Sequence, residues 1–250
     1  MSDIVLQTQG LLKRFGGIVP TNEVSLSVPR GARHALIGPN GAGKTTLVNL
    51  LTGVLEPTAG SITLDGRDIT AMPAFKRVRE GIVRTFQINQ LFNSLTPTQS
   101  LALAVSAQRG TSSQWWKPLG AGIDVAADCA QLLHDFKLDD VMNTKIDFLP
   151  YGKRRLLEIA MALACKPRVL LLDEPVAGVP EGERQEIFET LKALPEDVSV
   201  LLIEHDMDLV FSFARTVSVL VNGAIFTEGS VMDISNDPRV KAVYLGEGHG

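Results

Sequence analysis

The sequence predicts an α/β fold built on a phosphate-binding loop, and three observations predict it. The first is Gly38-Pro39-Asn40-Gly41-Ala42-Gly43-Lys44-Thr45-Thr46, which fits the pattern G-x-x-x-x-G-K-[ST]. In that pattern backbone N–H groups cradle phosphate oxygens, Lys reaches the outer phosphates and a hydroxyl ligates Mg²⁺. The context suits it: Ala35-Leu36-Ile37 has strand length, and Leu47, Val48, Leu50 and Leu51 recur at helical spacing up to Gly53, a C′ glycine. The second observation is a pair of apolar runs, Val169–Leu172 and Val198–Ile203, ending in Asp173-Glu174 and Glu204-His205-Asp206. Buried parallel strands read this way, delivering polar groups to one sheet edge. The third is a change of pattern between about Leu91 and Cys165, where 100–108 and 125–136 carry apolar residues at helical spacing. That stretch reads as a helical insertion.

The bulk properties bound the answer from outside. A chain of 250 residues buries a sizeable core, and its net charge of −4 gives no overall electrostatic footprint for nucleic acid. Cys129 and Cys165 stand far apart without metal-ligand spacing, which fits a reducing compartment and two small packing residues. Met1-Ser2-Asp3-Ile4 has neither the basic segment nor the apolar core of a signal peptide. The most apolar region, Leu156 to Leu172, is interrupted by Glu158, Lys166, Pro167 and Arg168, short of the ~18 apolar residues expected of a membrane span. Membrane association is therefore expected only through a partner.

Taken in order, Ile4–Thr8 and Val24–Val28 alternate as half-exposed strands. Between them Phe15 precedes Gly16-Gly17; it either stacks on a nucleotide base or packs in the core. Asp65-Gly66 and Asn222-Gly223 are hairpin turns between short strand-like runs. The strand Gly81–Phe86 ends in Gln87, whose amide can ligate a metal or orient a water. Within the insertion Trp115-Trp116 lie in a segment rich in glycine and serine, as a partner contact or as a loop folded on its own domain. Lys153-Arg154-Arg155 open a helix carrying Leu156, Leu157, Ile159, Ala160 and Leu163. Cations in a first turn oppose the helix dipole, so they either meet an anion or form a solvated basic turn.

In this order and spacing, the residues resemble the ATP-binding subunit of an ATP-binding cassette (ABC) transporter: Gly38–Thr46, Gln87, the signature-like Leu149–Lys153, Asp173-Glu174 and His205. The resemblance implies a phosphate-loop cassette with an inserted helical subdomain and an antiparallel β subdomain. It implies that Phe15 stacks on adenine and that the loop, with Gly152 and Lys153 of a facing subunit, holds ATP. Thr45, Gln87 and Asp173 would surround Mg²⁺, Glu174 would be the catalytic base and His205 would contact the γ-phosphate. The expected bounds are a nucleotide-binding domain over 1–230, with its core at 1–87 and 166–230, a helical subdomain at 88–165, and a C-terminal extension at 231–250. Lys13–Gly17, Gly81–Gln87, Arg154–Ala160 and Asp237–Gly246 further resemble the branched-chain amino acid uptake subfamily. This implies an importer subunit on the cytoplasmic face of the plasma membrane. Its partners would be permease subunits, a second cassette and, indirectly, a solute-binding protein, with no nucleic acid. Alternatives are a cassette for urea, amides or lipopolysaccharide export, a weakly hydrolysing member of a hetero-pair, and a soluble cassette acting on nucleic acid or ribosomes.

Two departures from the family pattern stand out. The signature is usually Leu-Ser-Gly-Gly-Gln, whereas Pro150, Tyr151 and Lys153 occupy three of its positions here. Pro150 supplies neither a hydroxyl nor an N–H, and Pro180 removes another donor after Glu174. The reading that follows is that Lys153, with Arg154 and Arg155, replaces lost neutral donors by charge toward the facing γ-phosphate.

Overall fold

The computed structural model describes residues 3–85, 91–110 and 123–245. The chain opens with a hairpin of β1 (Ile4–Phe15) and β2 (Ile18–Pro29) and runs through β3 (Arg33–Ile37) into helix α1 (Lys44–Leu51). It returns as β4 (Ala59–Leu64) and β5 (Arg67–Asp68), followed by α2 (Ala74–Arg79) and β6 (Ile82–Arg84). Three helices come next, α3 (Pro97–Gln108), α4 (Ile123–Asp135) and α5 (Tyr151–Ala164). Then β7 (Val169–Asp173), α6 (Glu181–Lys192), β8 (Ser199–Ile203), α7 (Met207–Phe213) and β9 (Thr216–Val221) alternate. β10 (Ala224–Ser230), α8 (Val231–Asn236) and α9 (Pro238–Leu245) complete the described chain. By packing it divides into two units: Met1–Ile82 with Arg168–Glu174 and Pro195–Gly250, and Val83–Pro167 with Pro175–Leu194.

The first unit holds an antiparallel sheet ordered β2-β1-β4-β5 and a larger sheet ordered β10-β9-β3-β8-β7, with the strand that starts at Ile82 at its edge. In the larger sheet β9, β3, β8 and β7 are parallel neighbours and β10 pairs antiparallel with β9. Both predicted hairpin turns form. Asp65 and Gly66 have φ of 48° and 75°, Asn222 and Gly223 φ of 49° and 80°, the paired positive angles that a tight two-residue turn requires.

Helix α1 lies in the core of this unit. Leu47, Val48, Leu50 and Leu51 are fully buried in one cluster with Leu6, Leu26 and Ile62 from one sheet and Leu36, Leu171 and Leu201 from the other. Each such side chain contributes about 1.5–3 kcal/mol by leaving water. The helix ends as the sequence predicts, with Gly53 at C′ and φ 74°. Its last carbonyls are also met by Arg77, which is 1 % exposed. The guanidinium donates to Leu50 O at 2.7 Å, Leu51 O at 2.8 Å, Thr70 O at 2.8 Å and Met72 O at 2.8 Å.

In the second unit α3 packs against α4 and α5, and α5 packs against α6. Helix α3 starts on a reciprocal cap: the Thr96 hydroxyl accepts from Gln99 N–H while Gln99 Oε1 accepts from Thr96 N–H, with Pro97 in the first turn. Leu101, Leu133, Phe136, Leu156, Ile159 and Ile187 are buried. Cys129 and Cys165 are free thiols whose pKa burial pushes up, as befits packing residues. Among the described residues no helix is long and apolar enough to cross a membrane.

Candidate functional site

Because β3, β8 and β7 are adjacent and parallel, their carboxyl ends share one edge of the sheet. At that edge open sheets of this type place their ligands. β3 leads into the loop Gly38–Thr46, β7 ends on Asp173 with Glu174 after it, and β8 leads to His205.

The loop is fixed from behind. A Cβ on Gly43, at φ 102°, would lie 2.0 Å from Pro20 O, and one on Gly38 would lie 2.2 Å from Leu220 O, so only glycine fits either place. Gly223, in the turn between β9 and β10, donates its N–H to Ala42 O at 2.9 Å and accepts Asn22 N–H at 2.7 Å. Ala42 N–H in turn reaches Pro39 O at 3.2 Å. At the front Lys44 Nζ bridges Gly38 O at 2.5 Å and Pro39 O at 2.9 Å. The N-cap Gly43 offers no side-chain cap, and no acidic residue stands in the first turn of α1. No side-chain cap or carboxylate of the first turn therefore offsets the positive end of the helix dipole, which favours an anion there. Beside them Asn40 and Thr45 are exposed and Thr46 is half-buried. Cation, helix N-terminus and an exposed hydroxyl together fit a nucleotide polyphosphate with its magnesium ion. Asp173, nearly buried at the end of β7, supplies a carboxylate of the kind that holds the ion.

Glu174 adopts φ 46°, an uncommon angle that costs on the order of 1–2 kcal/mol for a residue with a side chain. Its N–H donates to Ile203 O at 2.9 Å, tying the end of β7 to the end of β8. The Glu174 carboxylate comes within 3.5 Å of His205 Nδ1, and the His205 side chain is 63 % exposed. The structure therefore brings together two of the residues that the sequence singles out for chemistry.

Phe15 closes the β1–β2 hairpin opposite Ile18 and is 48 % exposed, with the Lys13 ammonium 5.0 Å from its ring centroid. This excludes the core alternative and leaves the ring available for stacking. Gln87 lies outside the described residues, as do Trp115 and Trp116.

The other predicted segment belongs to the second unit, at the start of α5. Pro150 is its N-cap, and Gly152 N–H donates to Glu183 Oε2 at 2.6 Å. The three cations of the first turn do not form a solvated basic turn, because each bonds within the second unit. Lys153 Nζ reaches Lys137 O at 2.5 Å, Glu186 Oε1 at 3.3 Å and Asp140 Oδ1 at 3.5 Å. Arg154 donates to Leu149 O and Asp147 O. Arg155 is buried between Pro175 O and Glu158 Oε2, at 2.9 and 2.6 Å. Burial pushes the Glu158 carboxyl up against the opposing pull of Arg155. Tyr151 donates its hydroxyl to Ala177 O at 3.1 Å. Any contact of Lys153 with a facing phosphate requires these bonds to be exchanged.

The sequence pattern does not identify Arg77 or Glu183 as partners of helix ends. The signal for a third such residue, Glu204, is a charge immediately behind an apolar strand; in the structure it is 1 % exposed.

The sequence profile described as "ABC transporter" matches residues 21–177. The chain is similar to the "high-affinity branched-chain amino acid transport ATP-binding protein BraF" of Pseudomonas aeruginosa, 38 % identical over 99 % of this chain and 100 % of that one. It is also similar to the protein named LivG of Salmonella typhimurium, 37 % identical over 99 % and 100 %. Among solved structures it resembles the ADP conformation of an ATP-binding cassette of an ABC transporter, at 31 % identity and TM-score 0.85 over 97 % and 99 % of the two chains. A nucleotide-free cassette is similar at 30 % identity and TM-score 0.84, over 96 % and 98 %.

Proposed function

The chain belongs to the ABC transporter family, and on that premise we propose that it is the ATP-hydrolysing subunit of an importer for branched-chain or other hydrophobic amino acids. The observation that carries this reading is the pairing of Glu174 with His205 at 3.5 Å, at the sheet edge to which β3 delivers the phosphate loop. Lys44 exchanges its bonds to Gly38 O and Pro39 O for phosphate oxygens, the loop amides cradle them, and Phe15 stacks on the base. Thr45, Asp173 and Gln87 would hold Mg²⁺, which would supply positive charge against the phosphate oxygens. Glu174 polarises the attacking water, and His205 contacts the γ-phosphate.

A second cassette completes each nucleotide site through its signature segment, here Gly152 and Lys153. Two cassettes closing on ATP and reopening after hydrolysis drive permease subunits through alternating access, with the solute delivered by a binding protein. The subunit then works at the cytoplasmic face of the membrane. A second reading, a weakly hydrolysing member of a hetero-pair, is favoured by one contact: Glu183 already occupies Gly152 N–H, beside a Pro150 that has no donor.

The test is ATP turnover of the purified chain alone and with its co-purified membrane subunits. Glu174→Gln is expected to lower turnover by about 10²–10⁴-fold and to trap the ATP-bound dimer. Continued steady turnover in that variant removes Glu174 from its role, and nucleotide binding without turnover in either setting selects the second reading.

A further inference from the structure

A chain of polar side chains crosses three strands of the larger sheet among aliphatic neighbours. His34 in β3 and Ser218 in β9 are fully buried beside Ala35, Leu36, Val217 and Val219, and Glu228 in β10 joins them with its side chain 41 % exposed. His34 Nε2 lies 2.7 Å from Ser218 Oγ, and the Ser218 hydroxyl donates to Glu228 Oε2 at 2.5 Å. A hydroxyl has one hydrogen. Because Ser218 gives it to the carboxylate, its oxygen accepts from the ring, and Nε2 is the nitrogen that carries hydrogen. Burial pushes the imidazole below its ordinary range against the opposing charge of Glu228, which keeps the ring neutral at pH 7. Nδ1, buried and without a hydrogen-bond partner among the described residues, is then the bare nitrogen.

The chain of bonds depends on strand register. In the pair β9–β10, Ile225 faces Leu220 but Thr227 faces Val219, so Phe226 is an extra residue and Glu228 comes opposite Ser218. Without this bulge Thr227 would face Ser218 and Glu228 would face Val217, on the other side of the sheet. The apolar residues discriminate poorly, since β9 offers an aliphatic side chain at every position but Thr216 and Ser218. The carboxylate, by contrast, reaches the serine only in the bulged alignment. Both buried strands lead to the phosphate loop: β3 runs into Gly38, and β9 into Asn222-Gly223, where Gly223 N–H donates to Ala42 O at 2.9 Å.

We propose that His34, Ser218 and Glu228 are positioning residues for nucleotide binding: the bonds from ring to hydroxyl to carboxylate fix the β9–β10 register, and with it the turn that backs the phosphate loop. The inference rests on the reading of Gly38–Thr46 as the nucleotide loop. Glu228→Leu removes the last acceptor and leaves the Ser218 hydroxyl without it. Glu228→Gln removes the charge but keeps an oxygen that accepts, which separates the bond from the field of the carboxylate.

The experiment uses the full chain and compares wild type, Ser218→Ala, Glu228→Leu and Glu228→Gln. It reads the His34 ring by ¹⁵N NMR, assigned by its loss in His34→Gln, the Gly223 amide by hydrogen exchange, and ATP affinity by titration calorimetry. The wild-type ring is expected to be the Nε2–H tautomer. In Ser218→Ala and Glu228→Leu the Gly223 amide is expected to exchange about tenfold faster or more, and ATP to bind about tenfold more weakly, with kcat beside the membrane subunits within about twofold. Glu228→Gln is expected to restore both amide protection and affinity. Ile187→Val, a cavity in the second unit, serves as the control for stability alone and is expected to move neither. Should Ser218→Ala fail to fold, the two substitutions at the half-exposed Glu228 carry the test. An Nδ1–H ring in folded wild type overturns the proposal, as does a Gly223 amide indifferent to position 228, or a loss of affinity that Ile187→Val reproduces. A Gly223 amide that follows position 228 in a chain without affinity for ATP upholds the positioning of the turn and overturns only the nucleotide reading of the loop.

Discussion

Two helix N-termini in this chain invite comparison, that of α1 after the phosphate loop and that of α5 after Pro150. Both begin in a motif associated with anions, and both carry the same partial positive charge. At α1 the cap is Gly43, with no capping side chain and no acidic neighbour. At α5 the cap is Pro150, and the Glu183 carboxylate sits on Gly152 N–H at 2.6 Å. The cations differ in the same sense. Lys44 lies across its own loop on two carbonyls, whereas Lys153, Arg154 and Arg155 are each anchored among groups of the second unit. One end is held open by main chain that cannot move aside; the other is closed by a side chain that can. The opposite end of α1 adds to the contrast, since the buried Arg77 donates to two of its last carbonyls.

The comparison can be broken at its strongest point first. Gly43→Ala puts a methyl group 2.0 Å from Pro20 O at a φ of 102°. The expected loss is about 3 kcal/mol or more of stability, read as a lower urea midpoint. A stable Gly43→Ala chain with intact nucleotide affinity means that the loop is not moulded from behind. Next, Lys44→Ala leaves the fold in place and weakens ATP binding about 10- to 100-fold by titration calorimetry, the worth of a bond to a charged group. Unchanged affinity removes the lysine from the open end. The smallest effect is expected of Glu183→Ala, about 1 kcal/mol of stability, as for loss of an N-cap. A thermal midpoint equal to that of wild type shows that α5 is not closed by this carboxylate.

How much of this is legible beforehand depends on the reach of the interaction. The loop, β7 and the two Asx-Gly turns are written in contiguous residues and appear where the sequence puts them. β1 extends well past the alternation at Ile4–Thr8, because register shifts after Thr8 and Leu11 break the two-residue period on which the sequence reading depends. Helix α6 leaves no clear stripe, since its buried apolar residues are only Ile187 and Leu191. The destination of Lys153 is illegible for another reason: in sequence, Asp140 and Glu186 look like any other surface charges. Spacing cannot tell a hairpin tip from a core position, so the place of Phe15 is visible only in the fold.

The hydrogen bonds and close contacts behind the phosphate loop have a consequence for binding kinetics. Ordering a flexible segment on a ligand costs on the order of 1–2 kcal/mol per residue, and slow rearrangement limits the rate of capture. Here Gly223, Pro20 and Leu220 settle that cost when the chain folds. A nucleotide arriving at the loop finds its receptor already cast, and the main rearrangement left to it is the swing of one lysine.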